Sequence, residues 1–501
     1  MPNLVGISGA ARNACAAVAV DGQIRAACEQ ERLTRVRAVG LQPGRLPAEA
    51  VNQVLALAER GPQQVTGYVV AEPNVQLPGG VPTLHVDHHQ AHAATSFLTS
   101  SFERAAVLVC DSHSGRELSV WSAVGTALNE QWSWSRAFAT LYSQCAEAFQ
   151  VGDGQEHRLE ALAHLGRGER AEELRNVFRY VDGTLQVDAG WRVHIDRMIQ
   201  RDRRPNGQAT DAASAVQSRI GELLLELVAD IRRRLGHDTL CLGGGLFYNT
   251  YFTTLIRASG IFDHVFVPIN PGNAGLAVGA PLMVAGQDGQ ATISQNVSPF
   301  LGPEYDSNAI KAELDGCKLS YAFLNESDVI NATVEALARG QLVGWFQGRM
   351  EWGHRSLGNR SILASPTSPY VLDNLNSFLR KRERWRSFGV SVCGDKVDDY
   401  FCGPSSSPWM QYEYSLRDPE QLRHVMPPGA SSIRVQTVTP DSHMFWKLHQ
   451  GMERATGNGV LVNTSFNSFR EPIVCSPRDA VRVFYGTGLD MLVLGRFVLR
   501  K

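Results

Sequence analysis

Apolar and polar positions alternate between two periods along this chain, and the switches between them mark its elements. The opening LVGIS is an apolar run, and ACAAVAV and QIRAACEQE flank the turn Asp21-Gly22. Two strand-like runs around Asp-Gly predict a hairpin. From Pro47 to about Arg60, Val51, Val54, Leu55 and Ala58 recur at helical spacing. VTGYVVAE and AAVLVCD predict buried strands. AVQSRIGELLLELVADIRRRLG predicts a long amphipathic helix stopped by Gly236. DTLCLGGG and HVFVPINPGN predict strands that run into glycine turns. AGLAVGAPLMVAG predicts a helix of small residues in close packing.

Between Gln287 and Asp306 the pattern dissolves into QDGQATISQNVSPFLGPEYD, which predicts a domain boundary. The expected division is 1–300 and 301–501. Beyond it, DVINATVEALARG predicts a helix and QLVGWFQG a strand. VLDNLNSFLRKRERW predicts a basic helix, GVLVNTSFN a strand, and MLVLGRFVL the end of a sheet. Strands and helices interleave throughout, so the fold class is α/β.

Composition narrows the class of function. A chain of 501 residues with 44% apolar content exceeds one ordinary core and suits two domains. Lys+Arg 48 against Asp+Glu 50 leaves a net charge of −2, which argues against a nucleic-acid partner. No run has transmembrane length and the first residues do not read as a signal peptide, so a cytoplasmic protein without a membrane partner is expected. Nine scattered cysteines without a C-x-x-C pair fit free thiols in a reducing compartment.

Five clusters could carry chemistry. Gly243-Gly244-Gly245 ends a strand shortly before Asn249, and Pro271-Gly272-Asn273-Ala274-Gly275 enters a helix. Either turn could bring backbone N–H groups to a phosphate, or could serve only as a tight turn. His88 and His92 are four apart and share a face if helical. With Asp111 they make a candidate metal set, the alternative being a capped helix start. The stretch from Gly348 to Ser361 holds Arg349, Glu351, Arg355 and Arg360 among glycines, which suits an anionic substrate. The basic stretch Arg380 to Arg386 reads as a solvated face with some arginines turned into a phosphate site. Asn463 to Asn467, with Ser465, offers a neutral hydrogen-bonding floor, or an ordinary capped turn.

Taken together these motifs resemble the O-carbamoyltransferases of the nodulation, cephalosporin and tobramycin type. HHQAHAA, GGGLFYN, GIFDHVFVPINPGNAGLAVGA, GRMEWGHRSLGNRSIL, RVQTV and NTSFNSFREPIV look like family blocks in family order. The resemblance implies an N-terminal actin-like ATPase-fold domain (duplicated RNase H-like) and a smaller C-terminal domain similar to threonylcarbamoyl-adenylate synthases. It implies ATP, with Mg for the nucleotide, and carbamoyl phosphate as substrates. Carbamoyl adenylate forms in the C-terminal domain. An iron-type divalent metal in the N-terminal domain then assists transfer to a small-molecule acceptor, as in antibiotic biosynthesis. It implies His88, His92 and Asp111 at the metal, and Gly243, Gly244, Asn249, Gly272 and Asn273 at the nucleotide. It implies Arg349, Glu351, Arg355, Arg360, Arg380, Arg434, Asn463 and Ser465 at carbamoyl phosphate and the adenylate. Family members often pair, so a homodimer or a pairing with a homologue is expected.

The chain departs from the family in places. The His-x-Asp-Ser loop has Ala11 and Asn13 at its histidine and aspartate positions, and Ala11 carries no proton. Asn273 stands where the family has a metal-binding aspartate, and a neutral amide oxygen holds a cation less well. The family lysine is Arg380, its R-P-F-A-P stretch is Arg386 to Val390, and its H-V-D-G-T block is Pro428 to Ser432. These departures imply an altered metal and acceptor site. They leave three readings: carbamoyl transfer to a hydroxyl, amide or urea formation on an amine, and a non-catalytic partner of a working homologue.

Overall fold

The computed structural model describes residues 3–42, 44–72, 75, 77, 80–152, 154–203, 208–287 and 297–501. The first half builds two five-stranded sheets with one plan. In the first, β1 (Asn3–Ser8), β2 (Cys15–Val20) and β3 (Gln23–Glu29) form an antiparallel meander. Asp21 and Gly22 both take positive φ, 55° and 74°, as a two-residue turn matched to strand twist requires. β4 (Gly67–Val70) and β5 (Thr83–His85) then add in parallel beside β1, giving the order β3-β2-β1-β4-β5.

The second sheet repeats this. β6 (Arg104–Cys110), β7 (Leu118–Val124) and β8 (Ala127–Trp134) are the meander. A small hairpin, β9 (Phe178–Val181) and β10 (Thr184–Val187), lies apart. β11 (Thr239–Gly243) and β12 (His264–Phe266) add in parallel beside β6, so the order is β12-β11-β6-β7-β8. A meander with two parallel strands on its first strand, present twice, is the duplicated α/β fold that the resemblance implied.

Two helices, His88–Leu98 and Leu276–Gln287, pack between these sheets, and the long helix Thr210–Leu235 covers the other face of the second sheet. The small-residue helix Leu276–Gln287 lies against β1, β2 and helix His88–Leu98. Its Gly279 permits the approach, since a Cβ there would stand 2.2 Å from the Thr95 hydroxyl. The long helix Thr210–Leu235 buries Leu223, Leu224, Leu227, Val228 and Ile231 on one face. Burying each such side chain is worth about 1.5–3 kcal/mol. Gly236 ends the helix at φ 67°, its N–H returning to the Arg232 carbonyl.

The second half forms one ten-stranded mixed sheet. Its strands are β13 (Ala322–Phe323), β14 (Val343–Phe346), β15 (Arg360–Ala364), β16 (Gly389–Cys393), β17 (Phe401–Cys402), β18 (Glu413–Leu416), β19 (Ser432–Val438), β20 (Leu461–Ser465), β21 (Met491–Leu494) and β22 (Phe497–Arg500). Their order is β13-β22-β21-β14-β15-β20-β16-β19-β18-β17, and among the described residues none of them pairs with either sheet of the first half. Of the expected boundary stretch, 288–296 lies outside the described residues.

Side chains join the halves. Arg35 donates to the Ile473 and Pro472 carbonyls at 2.6 and 2.8 Å, and Tyr412 donates to the Val265 carbonyl at 2.8 Å. Thr253 donates to the Gln411 carbonyl at 2.6 Å.

Two expectations need correction. The basic helix expected through Trp385 stops at Leu379, as a short α turn (Val371–Asp373) that widens into a π turn (Asn374–Leu379). Arg380 leaves the helix because its guanidinium is drawn to Asn467, Thr464 and Ser465, and Lys381 follows at φ 47°. The strand expected over 264–273 is regular only for three residues. Beyond Phe266 the chain leaves the ladder, because the turn at Pro271 pairs with the glycine run instead, Gly244 N–H donating to Pro271 O at 2.8 Å.

Candidate functional site: a histidine–aspartate pocket and an arginine recess

The first site starts at the N-terminus of helix His88–Leu98. Asp87 caps it, accepting from the Gln90 N–H at 2.8 Å. That starts the helix where His88 and His92 fall one turn apart on the same face. Asp111 follows the last residue of β6. The three side chains are buried, and ligand atoms from each lie within 4.8 Å of one another. His88 Nε2 stands 3.4 Å from one Asp111 oxygen and His92 Nε2 3.7 Å from the other.

Neighbours hold this geometry. Gly245 N–H donates to Asp111 Oδ2 at 3.1 Å, and His113 Nδ1 sits 2.9 Å from Oδ1. Gly244 adopts φ 96°, and a Cβ there would meet the Cys110 carbonyl at 2.1 Å. A Cβ at Gly243 would stand 2.5 Å from the Ser96 hydroxyl and 3.2 Å from His92's own carbonyl. In the structure these glycines lock β11 against β6 and the histidine helix.

The electrostatics suit a cation. Burial first, then the neighbouring histidines, depress His92 to about 3, so its ring is neutral. Asp111 is held well below the carboxylate range: burial opposes this, but the histidines outweigh it. Neither ring nitrogen of His92 has a hydrogen-bond partner, nor does His88 Nε2. Buried imidazole lone pairs facing a carboxylate, with no donor between them, are what a divalent metal satisfies. His88, His92 and Asp111 fit such an ion. Asn273 Oδ1 is also buried without a partner, on the turn next to the Gly275 carbonyl that accepts from Thr95.

Asn249 is placed differently. Its amide N–H groups donate to Tyr142 and Gln217, both at 3.0 Å, and its oxygen caps the next helix through Tyr251 N–H. Gly272 lies against the Tyr248 ring, 2.4 Å from where its Cβ would stand.

The second site lies between the halves. Residues 348–361 form a folded turn around Glu351, whose Oε1 accepts the backbone N–H groups of Leu357, Asn359 and Arg360 at 2.8–3.0 Å. Arg360 is fully buried. It donates to the Gln347, Gly348, Asn359 and Pro303 carbonyls and stacks 3.5 Å over Phe346. Arg349 donates to the Leu301, Gly302 and Arg25 carbonyls. These two arginines and the glutamate therefore shape the turn. Glu29 and Arg32 grip it from the first half by the N–H and C=O of Gly353, at 2.8 and 2.9 Å.

Arg355 is different. One weak bond, 3.4 Å to the Tyr248 carbonyl, leaves most of its guanidinium uncommitted, and the next ring, His354, meets Tyr248 edge-on at 4.2 Å. Arg355, Arg382, Arg386 and Arg434 act on one another: burial first, then these neighbours, works against the charge on Arg355, Arg382 and Arg386. Arginine does not release its proton in proteins, so this strain is relieved by an anion. Glu383 and Glu413 offset part of it. Arg380 fixes the Asn463–Asn467 loop, Ser465 donates to Asn467 at 2.7 Å, and Asn463 donates to Gln436 at 2.8 Å. Asn463 Oδ1 is left buried without a partner.

Relatives match both parts. A model described as Carbamoyltransferase N-terminus covers residues 79–282, and one described as Carbamoyltransferase C-terminus covers 334–501. The nodulation protein NolO of Bradyrhizobium diazoefficiens is 30% identical over 83% of this chain and 79% of its own. The chain belongs to the carbamoyltransferase family. NolNO of Sinorhizobium fredii is 28% identical over 96% of this carbamoyltransferase and 78% of its own chain. An uncharacterised protein of Synechocystis sp. is 32% identical over 84% and 76%. Among solved structures, full-length HypF aligns over 57% of this chain and 55% of its own at 10% identity, with a TM-score of 0.40.

Several side chains of this family member were not singled out from sequence. Glu160, His164 and Glu413 form a network joined through Thr250. Glu413 accepts from Thr250 and Ser432 at 2.6 and 2.8 Å and pairs with His164 Nε2 at 2.8 Å. His164 Nδ1 faces the Glu160 carbonyl at 2.8 Å. Both its nitrogens therefore abut acceptors, which only the imidazolium satisfies. Accordingly His164 is pushed up to about 9: burial opposes this and Glu413 outweighs it. Tyr412-Glu413-Tyr414 alternates like any strand, so sequence carried little signal here.

Proposed function

We propose that this carbamoyltransferase is an ATP-dependent enzyme of the cytoplasm. In this reading residues 301–501 form carbamoyl adenylate from carbamoyl phosphate and ATP, and residues 1–300 transfer the carbamoyl group to a small-molecule acceptor. One observation carries it: Arg355, Arg382, Arg386 and Arg434 crowd one recess with their charge only partly offset by protein groups. A phosphorylated one-carbon substrate supplies the missing charge, and the same guanidiniums stabilise the phosphate that leaves. Carbamate alone is a poor electrophile, and joining it to AMP gives it a better leaving group.

A divalent metal held by His88, His92 and Asp111 would supply Lewis-acid polarisation of a carbonyl. The protein's own part there is to hold His92 neutral and Asp111 ionised in a buried pocket. Ala11 lies exposed in the loop between β1 and β2 and offers no base to an acceptor hydroxyl. That favours, as a second reading, an amine acceptor, which attacks without such help. The test is pyrophosphate release by the purified protein with ATP and carbamoyl phosphate, with product mass spectrometry on alcohol and amine acceptors. No pyrophosphate under any of these conditions would remove the adenylate reading and leave a non-catalytic partner.

A further inference from the structure

One hydrogen-bonded relay in the second half ends on an atom with nothing to bond. Glu351 Oε1 accepts the Leu357 N–H at 2.8 Å, which fixes that part of the arginine turn. The Leu357 carbonyl accepts from Gln436 Nε2 at 2.8 Å. Gln436 Oε1 in turn accepts from Asn463 Nδ2 at 2.8 Å, across the intervening strand β16. A carbonyl can only accept, so Gln436 must present its NH2 group to Leu357 and its oxygen to Asn463. That fixes the Asn463 amide as well, because turning it over would set two oxygens face to face. Asn463 is 2% exposed, and among the described residues its Oδ1 is an acceptor without a partner.

The relay runs among the recess arginines. Leu357 is two residues past Arg355. Gln436 is two residues past Arg434 on β19, so their side chains share one face of the sheet. Arg434 Nε is likewise buried without a partner among the described residues. Ser465, two residues past Asn463 on β20, accepts from Arg380 at 3.2 Å. One sheet face therefore carries an uncommitted donor on a guanidinium and an uncommitted acceptor on an amide. A fully ionised phosphate satisfies only the first, because its oxygens would meet Asn463 Oδ1 with lone pairs alone. A buried acceptor left in that state is destabilising, so the ligand must bring an N–H or O–H to it.

We propose that Asn463 Oδ1 accepts a hydrogen bond from the carbamoyl NH2 group of the substrate, and that this contact rejects acyl phosphates lacking that group. The proposal rests on the carbamoyl phosphate reading above. In fully ionised carbamoyl phosphate only the amino group donates. Acetyl phosphate has the same charge and nearly the same shape, with a methyl group in place of NH2. Arginines that hold the phosphoryl oxygens treat the two alike. A methyl group against Asn463 Oδ1 leaves the acceptor unpaired, so the amide decides between them. The relay from Glu351 holds that oxygen in place before the substrate arrives.

Isothermal titration of the full chain with two stable phosphonates, and with sulfate as the plain anion, tests this. Phosphonoacetamide carries the NH2 group, and acetonylphosphonate has a methyl group in its place. The wild type is expected to bind phosphonoacetamide about 10- to 100-fold more tightly than acetonylphosphonate. Asn463→Leu removes the acceptor at similar volume and should bring that ratio to about one. Gln436→Leu frees the Asn463 amide to turn, so the ratio should fall there too. Equal affinities for the two phosphonates in the wild type, or the full ratio retained in Asn463→Leu, overturns the role of Asn463 and leaves the anion site standing. The full ratio retained in Gln436→Leu overturns the relay. Absence of binding of sulfate and of both phosphonates by the wild type overturns the anion-site reading with it.

Discussion

The histidine–aspartate pocket draws its side chains from regular structure or its immediate edge: two from one turn of helix His88–Leu98 and one from the residue just past β6. The arginine recess draws most of its cations from loops, namely Arg355, Arg382 and Arg386, with Arg434 on a strand. The pocket is neutral to negative, buried, and set by backbone contacts closer than any side chain would allow. The recess is strongly positive, part-buried, and assembled across the seam between two halves that share no strand pairing among the described residues. A metal needs fixed ligands at short range, which helix and sheet supply. An anionic substrate that must enter and leave needs charge more than rigidity, and long guanidinium arms on loops supply it.

The sharpest test of the rigid side is Gly244→Ala. With φ at 96° and a Cβ 2.1 Å from the Cys110 carbonyl, the backbone must shift. A loss of more than about 4 kcal/mol is expected, read as a collapse in Tm with loss of metal. If both survive, the pocket is not set by that contact.

Two arginines from the same turn separate lining from scaffold. Arg355→Ala should lower pyrophosphate release about 100- to 1000-fold with Tm nearly unchanged. Arg360→Ala should lower stability by about 3 kcal/mol, because four carbonyls lose their donor, and activity should fall only as the fold does. The reverse pattern in denaturation and steady-state rates would exchange their roles.

On the metal side, His92→Ala should weaken metal binding by about 100-fold or more while sulfate affinity stays the same. Elemental analysis of dialysed protein beside calorimetry would show it. A parallel loss of both would mean that the sites are not separable.

A pH dependence is expected at the seam, confined to one pair. His164 has a folded value near 9 against an ordinary 6.5, so its contribution is full below 6.5 and is lost as pH rises through 9. Glu413 is held down to about 2: burial opposes this and His164 outweighs it. Its contribution is therefore full above 4.5 and lost as pH falls toward 2. The pair is strongest between about 4.5 and 6.5. His164→Gln should remove up to about 3 kcal/mol there and flatten the alkaline limb of a Tm–pH profile.

Much of the fold was legible locally. The Asp21-Gly22 hairpin, the helix stopped by Gly236 and the strand into Gly243 depend on period and turn chemistry within a few residues. The meeting of His88, His92 and Asp111 was legible in part for the same reason, since i, i+4 spacing becomes geometry once a helix forms. The basic stretch was misread because helical propensity favours Arg and Lys. Arg380 instead bonds to a loop more than eighty residues away, and that long-range bond decided where the helix stops.

By itself the sequence determined the element types, the α/β class, the histidine pair and the family's blocks, because each depends on near neighbours or on whole motifs. Only the tertiary structure decided which arginines hold the turn together and which keep most of their donors uncommitted, and that Glu160, His164 and Glu413 meet in one network. A guanidinium reads the same in one dimension whether four carbonyls or open space surround it. That difference arises when segments hundreds of residues apart fold into contact.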